Sequence, residues 1–174
     1  MPNLELVSPS KKYQAAFIAM ARDFQTHGEN RYDSVLPKLE TSFDLYLQRL
    51  EMQAKGIGLR EGIVPQTTLW SVLGEEVIGV IRIRHRLTPH LEQVGGHIGY
   101  QIRPSWRRRG LGTRQLALAL VVVGEWGWKR VLITCDDDNI GSARIIEANG
   151  GVLWDVNNVT GEPKPIRRYW VRLG

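Results

Sequence analysis

The chain has 174 residues, 43% hydrophobic and 24% charged, enough for one compact core and too short to expect two, so a single domain over residues 1–174 is expected. Its one cysteine, Cys135, rules out an internal disulfide or a cysteine cluster for zinc, and a metal-free chemistry in a reducing compartment is expected. The formal charge of +5 suits nucleic acid or a polyanionic cofactor, but the arginines gather at 82–86, 103–109 and 167–172 without interleaved aromatics or a basic recognition helix, which makes nucleic acid the lesser reading.

The first residues, Met1-Pro-Asn-Leu-Glu5, show neither a basic region nor an apolar signal segment, and a cytoplasmic location is expected. Leu4–Val7 reads as a short strand. Ser8-Pro9-Ser10 then caps a helix over residues 11–26, apolar at Tyr13, Ala16, Phe17, Met20, Ala21 and Phe24. The polar stretch Glu29–Pro37 leads to a second helix over 41–55, ended by Gly56 and Gly58. Strands at 67–73 and 77–87 make a hairpin about Gly74-Glu75-Glu76, and a loop with Pro89 and Glu92 precedes a central strand at 97–103. A helix over 111–126 is apolar nearly all round, so it is expected to pack on more than one side. No membrane span is expected, since Leu116–Val123 runs into Gly124 and Glu125. A strand at 130–135, a helix at 139–149 and strands at 151–157 and 167–173, linked by the turn-rich 158–165, complete the chain.

The segment 99–112, Gly-Tyr-Gln-Ile-Arg-Pro-Ser-Trp-Arg-Arg-Arg-Gly-Leu-Gly, joins the central strand to the long helix. A helix start offers unpaired N–H groups and partial positive charge, which together favour a phosphate. Gly110 and Gly112 let a ligand approach the main chain, and Arg107, Arg108 and Arg109 add charge. A Walker loop needs Gly-Lys-Ser/Thr, but Thr113 and Arg114 follow Gly112; a dinucleotide fingerprint needs glycine at 115, where Gln115 stands.

The pattern R/Q-x-x-G-x-G/A is met by Arg107, Gly110 and Gly112. Downstream, a β-branched strand, Asn139 with Ser142 and Arg144, and Gly150-Gly151 follow in order. On these residues, over about 67–172, the chain resembles the GNAT superfamily of acyl-CoA-dependent N-acyltransferases. Val64–Trp70, Ile83–Arg86 and Gly96–Tyr100 are similar to a bacterial branch of predicted acetyltransferases.

The resemblance implies an α/β (α+β) fold with a mixed, mostly antiparallel sheet of six to seven strands, about four flanking helices and splayed central strands. It implies acetyl-CoA as co-substrate. Main-chain groups of Tyr100 and Ile102 would pair with the pantetheine arm, and N–H groups across Arg108, Arg109, Gly110, Leu111, Gly112 and Thr113 would surround the pyrophosphate. Asn139 and Ser142 would lie beside the pantetheine, although Asn139 alone is equally an ordinary helix N-cap.

The superfamily's usual glutamate base falls at His97, with Glu92 as second candidate; a histidine there is as often a structural residue. Its usual tyrosine acid falls at Ile146, which has no proton to give. Coenzyme A then leaves as the thiolate or takes its proton from water, or Tyr169 is a substitute donor; Tyr169 is otherwise a core aromatic, and Cys135 a small buried residue rather than an acyl carrier. The acceptor, a small-molecule or peptide amine, would lie by the first two helices and the last loop, where Glu29, Asp33, Glu40 and Asp44 attract a cation and Arg31 a carboxylate. The expected activity is acetyl transfer to an amine by direct attack, with a homodimer allowed. The alternative is a non-catalytic acyl-CoA-binding sensor or partner module on the same fold, suggested by Ile146.

Overall fold

The computed structural model describes residues 3–174. Seven strands fall into two ladders. β1 (Leu4–Val7), β2 (Gln66–Leu73), β3 (Glu76–Arg84) and β4 (Ile98–Ile102) form the first in that order. Of β5 (Arg130–Asp136), β6 (Val152–Asn157) and β7 (Ile166–Arg172), β7 is the middle strand of the second. Every laddered pair is antiparallel.

Side chains alternate between the two faces of each strand, and the two faces collect different helices. Trp70, Val72 and Val80 pack beneath α1 (Gln14–Thr26), α2 (Leu36–Thr41) and α3 (Phe43–Lys55), against Phe17, Met20, Phe24, Leu39 and Phe43. Trp70 stacks on Phe17 at 4.3 Å. Ile81, Ile83 and Ile98 face the other way, onto Leu116, Ala119 and Val123 of α5 (Leu111–Glu125) and Ala143 and Ile146 of α6 (Ile140–Ala148). That core continues through Val131, Ile133, Tyr169 and Val171, so α5 and α6 span both ladders.

The helix over 11–26 opens as a 3-10 turn, Lys11–Tyr13, before α1 begins. Two short helices stand where loops are expected. Pro37 sits in the first turn of α2, where its missing N–H costs nothing. In α4 (Pro89–Gln93), Thr88 caps the start by accepting from the Leu91 N–H at 3.2 Å. β3 stops at Arg84, short of residue 87. Among the described residues no helix is long and apolar enough to cross a membrane.

The ladders meet at β4 and β5, which share no ladder of their own. Just before β4 the two chains touch: His97 N–H donates to the Leu132 carbonyl at 2.7 Å, and Leu132 N–H donates to His97 Nδ1 at 2.9 Å. Gly95 N–H adds a bond to Thr134 Oγ1 at 2.9 Å. Gly96 has φ +59°, and a Cβ there would overlap the Leu132 carbonyl, so only glycine allows this approach. Beyond the junction the strands part.

Candidate active site

A cleft of about 850 Å³ opens where β4 and β5 diverge. Every expected cofactor position lines it except Arg109: Tyr100, Ile102, Arg107, Arg108, Gly110, Leu111, Gly112, Thr113, Asn139 and Ser142. Gln101, Trp106, Glu29, Arg31, Arg144 and Ile145 complete much of the wall.

The bend before α5 is built from two left-handed residues, Arg108 at φ +62° and Gly110 at φ +71°. The first costs about 1–2 kcal/mol for a residue with a Cβ, strain that the fold retains beside the cleft. Gly110 is the N-cap of α5 and supplies no side-chain cap, so the first-turn N–H groups take no side-chain partner from it. The two glycines serve different ends. A Cβ on Gly110 would meet nothing within 4 Å, so its conformation is what matters. A Cβ on Gly112 would lie 2.6 Å from Ile145 Cδ1, so that position lets α5 pack against α6.

The three arginines also divide. Arg107 is spent within the protein: its Nη1 and Nη2 donate to Glu29 at 2.5 and 3.1 Å and its Nε to the Ile102 carbonyl at 3.0 Å. The Arg107 hydrogen bonds hold the Glu29 carboxyl below its usual range against the opposing effect of burial. The Ile102 carbonyl expected to meet pantetheine therefore already has a donor, whereas ladder alternation turns the main-chain groups of Tyr100 toward the gap. Arg109 turns back to the Ser105 carbonyl at 3.2 Å and stacks over Trp106 at 4.9 Å. Arg108 keeps its exposed guanidinium at the cleft. Ser105 fixes the bend to α1 through bonds from its N–H and hydroxyl to Asp23 at 3.0 and 2.9 Å.

Asn139 caps α6, its Oδ1 accepting from the Ser142 N–H at 3.1 Å. That cap turns the Ser142 hydroxyl to within 2.6 Å of the Tyr100 hydroxyl, so the two share a hydrogen bond on the cleft wall. Burial pushes the Tyr100 phenol up from its ordinary value, opposed by the Ser142 bond. Both groups hold their protons at neutral pH.

The expected catalytic residues lie elsewhere. His97 sits at the junction; in the neutral ring the lone pair on Nδ1 is committed to Leu132, and Trp128 and Trp170 pack around it at 5.2 and 6.5 Å between centroids. Burial lowers its pKa, and Arg130 and Arg84 push the same way. Glu92 is exposed on α4, and its carbonyl accepts from Arg168. Tyr169 is wholly buried, its hydroxyl donating to Glu147 at 3.1 Å. Burial also pushes up the Cys135 thiol. None of His97, Glu92 and Tyr169 lines the cleft. Ile146 occupies a fully buried site beside Tyr169, where apolar packing favours its side chain. Tyr100 and Ser142 are both expected beside the cofactor, but the hydrogen bond between them leaves no trace in the sequence because it spans 42 residues.

A family model described as an acetyltransferase (GNAT) domain matches residues 4–152. Among curated protein sequences none matches significantly. Among solved structures, the chain is similar to RimL, a ribosomal L7/L12 α-N-protein acetyltransferase solved with coenzyme A in a disulfide to a cysteine. Identity is 15%, with TM-score 0.70, covering 98% of this chain and 94% of that one. It is also similar to the microcin C7 self-immunity acetyltransferase MccE, in complex with acetyl-CoA and AMP, at 16% identity, TM-score 0.69, and 98% and 92% coverage. RimJ of Mycobacterium smegmatis, with a CoA disulfide, matches at 17% identity, TM-score 0.71, and 97% and 81% coverage.

Proposed function

Since the chain belongs to the GNAT acetyltransferase family, we propose that it transfers an acetyl group from acetyl-CoA to an amine by direct attack. The observation that carries the reading is the uncapped, left-handed start of α5 at the wide end of the gap between β4 and β5. N–H groups from Arg108 to Thr113 would hold the diphosphate, with the Arg108 guanidinium beside them. The free main-chain edge at Tyr100 would hold the pantetheine arm as a strand edge holds another strand. The complexes of MccE with acetyl-CoA and of RimL and RimJ with coenzyme A, on the same fold, support this choice of ligand.

Acetyl-CoA supplies the activated thioester carbonyl. The chain's own task is then to orient it, exclude water and handle two protons. Ser142 is the donor to the departing sulfur, refilled from Tyr100 across their 2.6 Å bond as Tyr100 takes a proton from water in the cleft, so that both hydroxyls end protonated. A donor in this pair would answer the missing tyrosine at Ile146, and so supports turnover over a binding-only sensor. His97 is a structural latch in this reading rather than the base, and Glu92 and Tyr169 are likewise left without a catalytic role. The acceptor binds as the neutral amine and gives its proton to water.

The test is thiol release from acetyl-CoA over a panel of amines, with pH varied. The expected profile of kcat/KM rises with pH in step with each acceptor's own amine pKa, and His97→Gln leaves its shape unchanged. A profile with an inflection independent of the acceptor, abolished in His97→Gln, would return the base role to His97. Tight acetyl-CoA binding without thiol release from any amine would overturn the transferase reading.

A further inference from the structure

Alternation along the first ladder sets Thr68, Arg82 and Gly99 in one row across β2, β3 and β4, on the face covered by α1–α3. Gly99 leaves β4 bare on that face: an added Cβ would have one neighbour within 4 Å, Arg84 Nη1 at 3.9 Å. The opposite face of β4 is closed by Tyr100, α5 and α6. An acceptor reaching a thioester laid along β4 therefore comes over Gly99, past Arg84 and past Arg82, which is the direct β3 partner of Gly99.

Arg82 is half-buried and forms no ion pair among the described residues. Arg103, Arg107, Arg167 and Arg168 each hold a carboxylate. Arg84 is committed as well, with Nη1 donating to the carbonyls of Gly95 and Gly96 at 2.9 and 3.1 Å. The positive charge of Arg82 opposes the effect of burial on the phenols of Tyr32 and Tyr46, which burial pushes up from their ordinary values. Tyr32 is joined to the cleft through its bond with Gln101, which lines it. Next to Arg82 in the row, Thr68 is 5% exposed, and its Oγ1 has no hydrogen-bond partner among the described residues. A partly desolvated cation and an orphaned hydroxyl side by side are unfavourable alone, and an anion placed between them satisfies both.

We infer that Arg82, with Tyr32, Tyr46 and Thr68, receives a carboxylate carried by the acceptor, so that the substrate is an aminocarboxylate rather than a simple amine. A guanidinium takes a carboxylate through two parallel N–H bonds, and the flanking hydroxyls add donors. One strand spacing, about 5 Å, separates Gly99 from Arg82, which sets a short link between amino nitrogen and carboxylate. The inference deepens the acetyl-transfer reading and rests on it for the position of the thioester.

The experiment uses matched pairs: L-alanine, β-alanine and γ-aminobutyrate, each with its carboxamide. Binding to the CoA-loaded protein is measured by calorimetry, and thiol release from acetyl-CoA is followed in parallel. At least one acid is expected to bind about tenfold tighter than its amide, a preference lost in Arg82→Met and partly kept in Arg82→Lys. The melting shift given by coenzyme A should be the same in all three proteins, which shows that the variants fold. Equal binding of acids and amides, no binding of any acid, or an acid preference that survives Arg82→Met overturns the inference. Arg82-dependent acid binding without thiol release leaves it standing and instead defeats the transferase reading.

Discussion

The two ends of β4 are a few residues apart and behave oppositely. At the His97 end the strand is bound to β5 by main-chain and imidazole bonds, with Gly96 pressed against the Leu132 carbonyl. At the Tyr100–Ile102 end the same strand faces a cleft of about 850 Å³. The closed end fixes the apex of the wedge and the open end keeps its main chain available. A sheet that continued pairing would be more stable and would have no binding edge.

The largest effect is expected at the apex of the wedge. Gly96→Ala should lose about 3 kcal/mol, since the new Cβ meets both a left-handed φ and a backbone carbonyl. Gly110→Ala, with the same sign of φ but open space, should lose only about 1–2 kcal/mol. Urea denaturation of the two variants measures the difference, and equal losses would refute close packing at the apex.

The open end is sharpened by Ser142→Ala, expected to lower kcat about a hundredfold while the melting shift with acetyl-CoA persists. An unchanged kcat would remove the hydroxyl pair from proton transfer. A smaller effect is expected from Arg107→Met, which leaves the Glu29 carboxylate on the cleft wall with only its longer Arg31 contact at 3.6 Å. Coenzyme A should bind about tenfold more weakly, and the double variant Glu29→Gln/Arg107→Met should regain most of the loss. Titration calorimetry decides this, and equal affinities in single and double variants would contradict it.

The gentlest probe is pH. Burial holds the His97 pKa below 6.5, so the unfolded chain takes up its proton first as the solution is acidified. The latch contributes fully above 6.5 and is lost as pH falls through the lowered folded-state value. The melting temperature should drop between pH 7.5 and about 5, and the drop should shrink in His97→Gln. An identical pH dependence in both proteins would show that the latch does not titrate.

Much of the cleft was legible because its signals are local. Pro104, two glycines near a helix start and Asn139 three places before Ser142 fix backbone geometry from neighbouring residues. Seven strands and the splayed centre also follow the family pattern. What stayed hidden depends on partners far away in sequence. The pairing of Arg107 with Glu29 spans 78 residues, and that of His97 with Leu132 spans 35; neither leaves a periodic trace. The short helices α2 and α4 were obscured for another reason, since Pro37 and Pro89 suggest turns unless they occupy a first helical turn.

The gap beside Tyr100 makes an interior strand chemically an edge. Amide hydrogens there should exchange with solvent deuterium at rates typical of a sheet margin, although α5 and α6 cover one face of the strand. A bound cofactor arm would act as a removable eighth strand, slowing that exchange and joining two separately laddered halves into one cooperative unit.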